Sequence, residues 1–571
     1  MKRIHSLLLW FLRPRFFWAA VLAGFLIGGL HALSMLPIPL ILGTGRFWEY
    51  PAGTVPGSIS DMAQVLVANL YFTQGAWTWP LLMVPELMPP RGVNIFWMDA
   101  VPLVALIGKV LFAVSGHYTN LLGFYLFACL ALPGAAMAAL LWLAGQRSFI
   151  AAFTGAALVS AAPFLIVEWG HMALSAQVII IFALCGYQLS LQRPDDRRVV
   201  MGWAIFLPLA LLTNMYLFVM AGGIWSAAVL QRLINRRISP TRAMTEAVST
   251  IGIALIVVWS TGILGSEVRS AASGGFGQFS MNLASPFVPQ RSGVIPFLWD
   301  YYLGARTQVY NYVGLGALIL GIACVPVIVP WLRRRARAHA ALIAVFIGFV
   351  MFALSHRITL GGRLLFTFPL PENIVLILGS FRASGRFFWP LAYAGMAVSI
   401  VTILRSWRPI PSACMLLAAA VLQIIDLQPM RQVSAESASR PYPELIDRAR
   451  LAKIVGNATE VAILPRAECL QARPEYSEPA AARRIGQASM DIELAAARKL
   501  RPINSAFTAR SMLDCGQENT LLGQTLRPGV AYFFLEGTTP APEQLGGQAV
   551  DAVCQEIQFV RACLLPQRQG N

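Results

Sequence analysis

Charged residues are scarce in this chain of 571 residues. Lys, Arg, Asp and Glu make up 12% of it, and the mean hydropathy is +0.62. A soluble globular protein carries about twice that share of charge, so the composition excludes an ordinary soluble enzyme and predicts a polytopic membrane protein. The net charge is +17. The basic residues form short clusters between apolar segments, as in loops that face anionic lipid, and therefore do not indicate a nucleic-acid partner.

Several catalytic signatures are also missing. The sequence has no Walker loop, no HExxH, no GxSxG and no internal repeat, which argues against a P-loop ATPase, a zinc protease and an α/β-hydrolase. Four of the eight cysteines lie in apolar segments, where Cys is a small apolar residue. The other four lie in the C-terminal tail without a C-x-x-C pair, and predict two disulfides of undetermined pairing in an oxidising compartment. The tail cysteines are Cys469, Cys515, Cys554 and Cys563.

Eleven segments are apolar enough to be membrane spans, which need about 20 residues each. They are roughly 16–36, 120–144, 149–167, 172–192, 199–214, 215–232, 245–265, 310–332, 338–356, 387–404 and 411–427. The first begins like a signal peptide, but no small-residue cleavage site follows it. We therefore expect a retained signal anchor.

Short arginine-rich loops alternate with long loops that are poor in positive charge. By the positive-inside rule the short loops are cytoplasmic and the long loops face outward. The segment 99–116 would reverse this alternation if it crossed the membrane, and it carries Lys109 near its middle, where charge is costly. We therefore expect 99–116, like 61–73, to form an interfacial helix. The N-terminus is then cytoplasmic and the tail periplasmic.

The predicted fold class is an all-α polytopic membrane protein with a small C-terminal α+β periplasmic domain. The transmembrane domain covers 1–427 and contains the first periplasmic loop, 37–119. The tail, 428–571, is polar, with short apolar runs (EVAILP, VAYFFLEG, EIQFVRACLLP) and a helix-like stretch, IELAAARKLR. This mixture is typical of a small α+β domain.

The stretch SISDMAQVLVANLYFTQGAWTWP (58–80) places one acid, Asp61, at the head of a helix. A carboxylate there can simply satisfy the free backbone N–H groups, as Ser60 can also do. Asp61 follows the first span by some two dozen residues, where it can face a cavity roofed by the interfacial helices. A partly desolvated carboxylate in such a cavity can act as a general base.

The stretch EWGHMALSAQ lies at an outward junction of two spans and contains Glu168, His171 and Gln177. These residues either form a solvated turn with a local Glu–His pair or face a cavity, since polar side chains at membrane depth usually do. Asn214 and Tyr216, at another outward junction, are placed to line the same space.

Three arginines lie in one outward loop, against the positive-inside trend: Arg363, Arg382 and Arg386. The guanidinium fork suits phosphate oxygens, and Phe387, Phe388 and Trp389 mark the interface where a lipid headgroup would lie. The segment either binds a donor lipid phosphate, with Arg386 as the leading residue, or anchors the chain to ordinary anionic lipid.

The chain resembles the GT-C glycosyltransferases, polytopic enzymes that transfer sugar from a polyprenyl-phosphate carrier outside the membrane. The resemblance rests on the acid after span one, the surface helix ending GAWTWP, the segment MDAVPLVALIGKVLF and a span ending at Arg. A closer resemblance, to YfhO-like and related bacterial membrane proteins, lies in PPRGVNIFWMDAVPLVALIGKVL, EWGHMALSAQ, YNYVGLGAL and FRASGRFFWPLAY, and covers most of residues 10–410.

This resemblance implies that Asp61 is the catalytic base or a metal or acceptor ligand. Many relatives have two adjacent acids at this point, whereas Ser60 and Met62 flank a single one here, so no metal site is predicted. A divalent cation is neither required nor excluded, and no redox cofactor is implied. Asp99 would orient Lys109 or the acceptor, or cap its helix, and Arg306 would add an acceptor-side contact.

The predicted function is transfer of a sugar from a polyprenyl-phosphate carrier to a glycan or lipid acceptor at a bacterial inner membrane, by an inverting single displacement. Two other classes remain open: a lipid-linked glycan flippase or exporter, and a non-catalytic cell-envelope assembly protein. A flippase is expected to show internal repeats or matched broken helices. Among enzymes, an O-antigen polymerase or ligase would also need outward arginines.

Overall fold

The structure is a computed structural model, and it is mostly helical. It describes residues 17–53, 61–265, 276–295, 309–471, 478–509, 512, 515–517, 522–536, 538–545, 549 and 553–565.

The α-helices of these residues follow one another along most of the chain. They are α1 (Phe17–Leu33), α2 (Ile38–Ile41), α3 (Asp61–Gln74), α4 (Pro102–Ser115), α5 (Leu122–Leu143), α6 (Phe149–Ser160), α7 (Pro163–Ile166), α8 (Val178–Gln192), α9 (Arg197–Leu211), α10 (Met215–Ile234), α11 (Pro240–Thr261), α12 (Leu315–Arg335), α13 (Ala340–Leu354), α14 (Glu372–Leu378), α15 (Trp389–Ser406), α16 (Pro409–Asp426), α17 (Gln428–Ser439), α18 (Arg448–Asn457), α19 (Ala467–Gln471) and α20 (Pro479–Arg498).

The strands form three small sheets. They are β1 (Met83–Val84), β2 (Val93–Asn94), β3 (Arg357–Leu360), β4 (Arg363–Thr367), β5 (Glu460–Leu464), β6 (Val530–Leu535), β7 (Cys554–Ile557) and β8 (Val560–Leu564). β1 pairs with β2 and β3 with β4, both antiparallel. The third sheet has the order β5-β6-β8-β7, with β5 parallel to β6 and the other pairs antiparallel.

Within the described residues, seven helices are long and apolar enough to cross a membrane, or eight if one bent pair is a single span. They make the chain a multi-pass membrane protein. The seven are Leu122–Leu143, Met172–Gln192, Met215–Ile234, Pro240–Thr261, Ala336–Leu354, Ser384–Ser406 and Pro409–Asp426. The other four predicted spans also coincide with helices, namely α1, α9, α12 and the bent pair. These helices are not among the seven that are long and apolar enough to cross a membrane, so the count of eleven spans stays a prediction.

The chain divides into two compact units. The first comprises Met1–Gly43, Leu122–Val257 and Ala271–Ser439, and the second comprises Thr44–Leu121, Val258–Ser270 and Arg440–Asn571. The first loop is thus grouped with the tail, whereas the sequence predicts a boundary at residue 427.

Small residues bring the first helices of unit 1 together. A side chain at Gly24 would meet the carbonyl oxygen of Gly134 at 2.4 Å, and one at Gly28 would meet that of Ala131 at 2.4 Å. The spacing GFLIG therefore lets α1 lie directly against α5, as small-xxx-small motifs do between membrane helices.

The tail portion of unit 2 confirms the predicted small sheet region. β5 and β6 coincide with EVAILP and VAYFFLEG, and every residue of β6 is buried. The run EIQFVRACLLP does not form one strand. It turns at Gln558, which has a φ of 53°, so β7 and β8 form a hairpin. Two disulfides confirm the prediction for the tail and supply its pairing: Cys469–Cys515 and Cys554–Cys563.

The helix α3 does not lie on a surface, so the prediction of an interfacial helix at 61–73 is wrong. From Met62 to Thr73 it is buried on nearly every side, and it packs against α4 and α20. Its polar residues are satisfied internally. Asn69 donates to the carbonyls of Val65 and Ala100 at 3.2 and 3.1 Å. A helix that is largely apolar around its circumference is a buried helix.

The helix α4 does expose one apolar face, as expected of an interfacial helix. Its exposed large side chains are Ile107, Val110, Leu111 and Val114. In the same unit, Trp79 packs edge-to-face on Trp259 with centroids 5.1 Å apart. Trp259 lies in the last turn of a candidate span, where aromatic residues mark the membrane–water interface.

Candidate functional site

A broken helix in unit 1 places Glu168. α6 and the helical segment Pro163–Gly170 meet at a bend of 46°, as in a broken span or a re-entrant loop. Pro163 at the start of α7 lacks a backbone donor, which favours a new helix beginning there. From Ala161 to Val178 nearly every residue is buried, and His171 alone is exposed. Glu168 is therefore a buried carboxylate and not part of a solvated turn.

The Glu168 carboxylate forms an ion pair with Arg386, 218 residues away in the sequence. The guanidinium donates from Nε to Oε1 at 3.4 Å and from Nη2 to Oε2 at 3.3 Å. His171 Nδ1 lies 3.2 Å from Oε2. The exposed fractions are 6% for the Glu168 side chain, 14% for Arg386 and 47% for His171. The imidazole thus lies at the open side of a buried ion pair.

Tyr216 and Gly385 help to fix the position of Arg386. Its guanidinium lies over the Tyr216 ring, 5.4 Å from the centroid, a cation–π geometry. The Tyr216 hydroxyl accepts a hydrogen bond from the Ala383 backbone N–H at 3.0 Å. A Cβ at Gly385 would meet the Met281 backbone nitrogen at 2.9 Å. The glycine before Arg386 therefore permits a close backbone approach.

Gln177 is fully buried and fastens the broken helix to α15. Its amide nitrogen donates to the Phe164 carbonyl at 3.3 Å, and its oxygen accepts from the Tyr393 hydroxyl at 2.8 Å. Phe164 packs on the Tyr393 ring at 5.1 Å. Sequence reasoning missed Tyr393. It lies in the second turn of α15, and no local signal in the sequence marks it.

The two other arginines are placed differently. Arg363 is the first residue of β4 and is exposed. Arg382 is exposed and lies over the Phe279 ring, 5.6 Å from its centroid. Arg306 falls outside the described residues. Of the predicted arginines that the structure describes, only Arg386 lies in a buried ion pair.

The predicted residues of the first loop belong to unit 2. Asp61 is exposed in the first turn of α3. Asp99 has a φ of 51° and ends a short 3₁₀ turn, while Val101 precedes α4 as its N-cap, so Asp99 does not cap that helix. Lys109 is buried and donates to the carbonyls of Phe72 and Ala76 at 2.7 and 2.8 Å. Its cation thus stabilises the C-terminal end of α3.

The cluster of Glu168, His171, Tyr216 and Arg386 combines an oriented cation with an ionisable imidazole. A guanidinium has five N–H donors in a planar fork, which match a carboxylate or a phosphate. Glu168 and Tyr216 hold that fork in one orientation at low exposure, where charge-assisted hydrogen bonds are strongest. The chemistry that this arrangement supports is recognition of an anionic group.

Comparison with solved structures finds archaeal oligosaccharyltransferases. The Archaeoglobus fulgidus enzyme AglB in complex with an inhibitory peptide and a dolichol-phosphate has a TM-score of 0.42 and 11% identity. The apo form of the Archaeoglobus fulgidus enzyme gives 0.46 and 13%, and its complex with Zn and sulfate gives 0.44 and 14%. Each match covers 85% of this chain. The chain spans 62–64% of those enzymes.

A comparison with curated proteins finds no match. The family model described as "Domain of unknown function (DUF6311)" matches residues 25–428, which is most of the chain. The YfhO-like resemblance stays a prediction. The chain belongs to the DUF6311 family.

Proposed function

We propose that this protein transfers a sugar from a polyprenyl-phosphate carrier to a glycan or lipid acceptor. The observation that carries the proposal is Arg386, a mostly buried guanidinium held by Glu168 at the start of the candidate span Ser384–Ser406. An oriented arginine at the end of a membrane helix supports binding of a lipid phosphate, and the segment FRASGRFFWPLAY, which contains it, is one of the motifs of the YfhO-like resemblance.

In the proposed reaction the acceptor hydroxyl oxygen attacks the anomeric carbon. The bond from that carbon to the phosphate oxygen breaks, and the polyprenyl phosphate leaves with the bonding electron pair. The anomeric configuration inverts. Arg386, with Arg382 and Arg363 nearer the solvent, stabilises the negative charge that grows on the leaving phosphate.

Asp61 is the proposed general base that takes the proton of the acceptor hydroxyl. Asp61 lies in the first turn of α3 and is exposed. Asp99, Glu168, His171, Gln177 and Arg306 are the proposed acceptor and cavity residues. Of these, Gln177 acts through Tyr393 and is best described as a positioning residue.

Binding of polyprenyl phosphate, measured by native mass spectrometry of the full-length protein in detergent, tests the donor site. Arg386→Lys keeps the charge but removes the planar fork, so we expect several-fold weaker binding. Arg408→Lys, in an exposed loop between two spans, is the matched control and should bind like wild type. Equal binding by wild type and Arg386→Lys would remove Arg386 from the donor site.

Transfer of radiolabelled sugar tests the base. We expect Asp61→Asn to fold and bind the lipid normally but to lose transfer by a factor on the order of 10²–10⁴, the typical contribution of a general base. Asp447→Asn, which changes a half-buried carboxylate that caps α18, is the control. Full transfer by Asp61→Asn would eliminate the assigned role and leave helix capping as the explanation for the acid.

A further inference from the structure

The chain between α13 and α15 exposes an unusual amount of apolar surface. It consists of the β3–β4 hairpin and α14, which we call the hairpin segment (residues 357–378). All five residues of β4 are exposed, and α14 has no buried residue. Five large apolar side chains of the hairpin and the turn after it are 40–52% exposed: Leu360, Leu364, Leu365, Phe366 and Phe368. In α14, Ile377 is 70% exposed.

This exposure belongs to a hairpin that is fastened to the rest of unit 1. Asn282 is fully buried and brackets the hairpin turn: its amide donates to the Gly361 carbonyl at 2.8 Å and accepts from the Gly361 N–H at 2.9 Å. The Leu283 N–H donates to the Thr359 carbonyl at 3.0 Å. Since β3 is held along this edge, the apolar side chains of β4 are presented outward by a fixed backbone.

The hairpin segment is continuous with membrane-facing surface. It begins three residues after α13, whose candidate span is only 11% buried within the protein, and Met351 in the last turn of that helix is 66% exposed. It ends shortly before the candidate span Ser384–Ser406. Apolar surface that large on a protein marks a contact with a membrane or a partner, and here both ends of the segment lead directly into membrane helices.

The charges of the segment fit a lipid surface. Arg357 and Arg363 of the segment are exposed, as is Arg382 four residues after it, whereas Glu372 is the one acid between residues 355 and 386. Arginine side chains extend toward lipid phosphates while neighbouring apolar side chains enter the acyl boundary. Among the described residues β4 pairs with β3 alone, and the backbone N–H and C=O groups of its other edge cannot be left unsatisfied in hydrocarbon. Within a bilayer, the segment therefore fits the depth of the lipid headgroups.

We propose that the hairpin segment inserts into the headgroup and upper acyl region of one bilayer leaflet, with its arginines on lipid phosphates. This inference concerns the lipid contact of the chain and does not depend on the proposed transferase activity. It differs from the predicted interfacial helix 99–116, which belongs to the other unit.

Spin labelling of the full-length protein in lipid vesicles tests the proposal. A nitroxide is attached at Leu365→Cys, and at Ala452→Cys on α18 as the exposed control, with the exposed Cys414 replaced by Ala in both. We expect the ratio of oxygen to nickel-chelate accessibility to be several-fold higher at residue 365 than at residue 452. The label is also placed at Phe366→Cys, so that one poorly folding variant does not decide the result.

Two outcomes would overturn the insertion. High nickel-chelate accessibility at residue 365, equal to that of the control, would place the hairpin in water. Low accessibility to both reagents would show that a segment of this chain, a second copy or another protein covers it. Vesicles of phosphatidylcholine with and without phosphatidylglycerol test the arginines: the anionic lipid should deepen the label in the parent protein, and Arg357→Gln combined with Arg363→Gln should reduce that shift.

Discussion

Arg386→Gln tests whether the ion pair with Glu168 is buried and intact. Removing one partner of a buried pair typically costs about 3–5 kcal/mol, because the other charge is left uncompensated. Arg386 keeps 14% of its side chain exposed, and His171 lies 3.2 Å from the same carboxylate. The lower end of that range, about 3 kcal/mol of unfolding free energy, is therefore expected. Arg363→Gln, which changes an exposed arginine of the same loop, should cost no more than about 0.5 kcal/mol.

The assay is chemical unfolding of the purified protein in mixed detergent micelles, followed by tryptophan fluorescence. The double variant Glu168→Gln/Arg386→Gln removes both charges. Its loss of unfolding free energy should be about 1–3 kcal/mol smaller than the sum of the losses of the two single variants, because residues in one ion pair are coupled. A cost for Arg386→Gln as small as that of Arg363→Gln would refute the buried pair. Strict additivity in the double variant would refute the coupling.

Three further predictions follow from particular contacts. Burial raises the pKa of Glu493 in α20 and the pKa of Glu468 to about 7 each. Between about pH 4.5 and 7 the folded protein therefore keeps protons that the unfolded chain releases, so thermal stability should fall as the pH rises through this range. Glu493→Gln should flatten that pH dependence. Gly385→Ala should destabilise the protein by about 1–3 kcal/mol in the same unfolding assay, because the new Cβ would lie 2.9 Å from the Met281 backbone nitrogen. Gly395→Ala is the control: the space around its Cβ is open, so this change should be neutral or stabilising. Non-reducing peptide mapping should find the Cys469–Cys515 and Cys554–Cys563 pairs. Because the paired cysteines are separated by 46 and 9 residues, replacing each pair should lower the free energy of unfolding by about 4 and about 2.5 kcal/mol, respectively.

The positions of the helices and of two tail strands were predictable from local patterns in the sequence. The apolar segments coincide with helices, and the tail runs EVAILP and VAYFFLEG coincide with strands. Each of these features depends on the periodicity or the size of neighbouring residues, which a single sequence contains.

Contacts between distant parts of the chain were not predictable in the same way. The one acid and the three amides of α3 resemble those of a surface helix, but Tyr71 in that helix donates to the carbonyl of Arg501 at 2.5 Å. Since the tail that buries α3 begins more than 350 residues after that helix ends, no local pattern reveals the contact. The pairing of Glu168 with Arg386 likewise depends on the fold, although both residues were candidates.

The most direct test of the central claim is consumption of a lipid-linked sugar by the wild-type protein. The purified full-length chain, in vesicles, is given a panel of radiolabelled polyprenyl-phosphate sugars with and without an extract of envelope glycans and lipids as acceptor. We expect label to leave the carrier for at least one sugar, the acceptor to increase the yield, and Asp61→Asn to lower transfer by a factor on the order of 10²–10⁴. If no sugar in the panel is transferred or released while the protein remains folded and bound to lipid, the transferase account is contradicted.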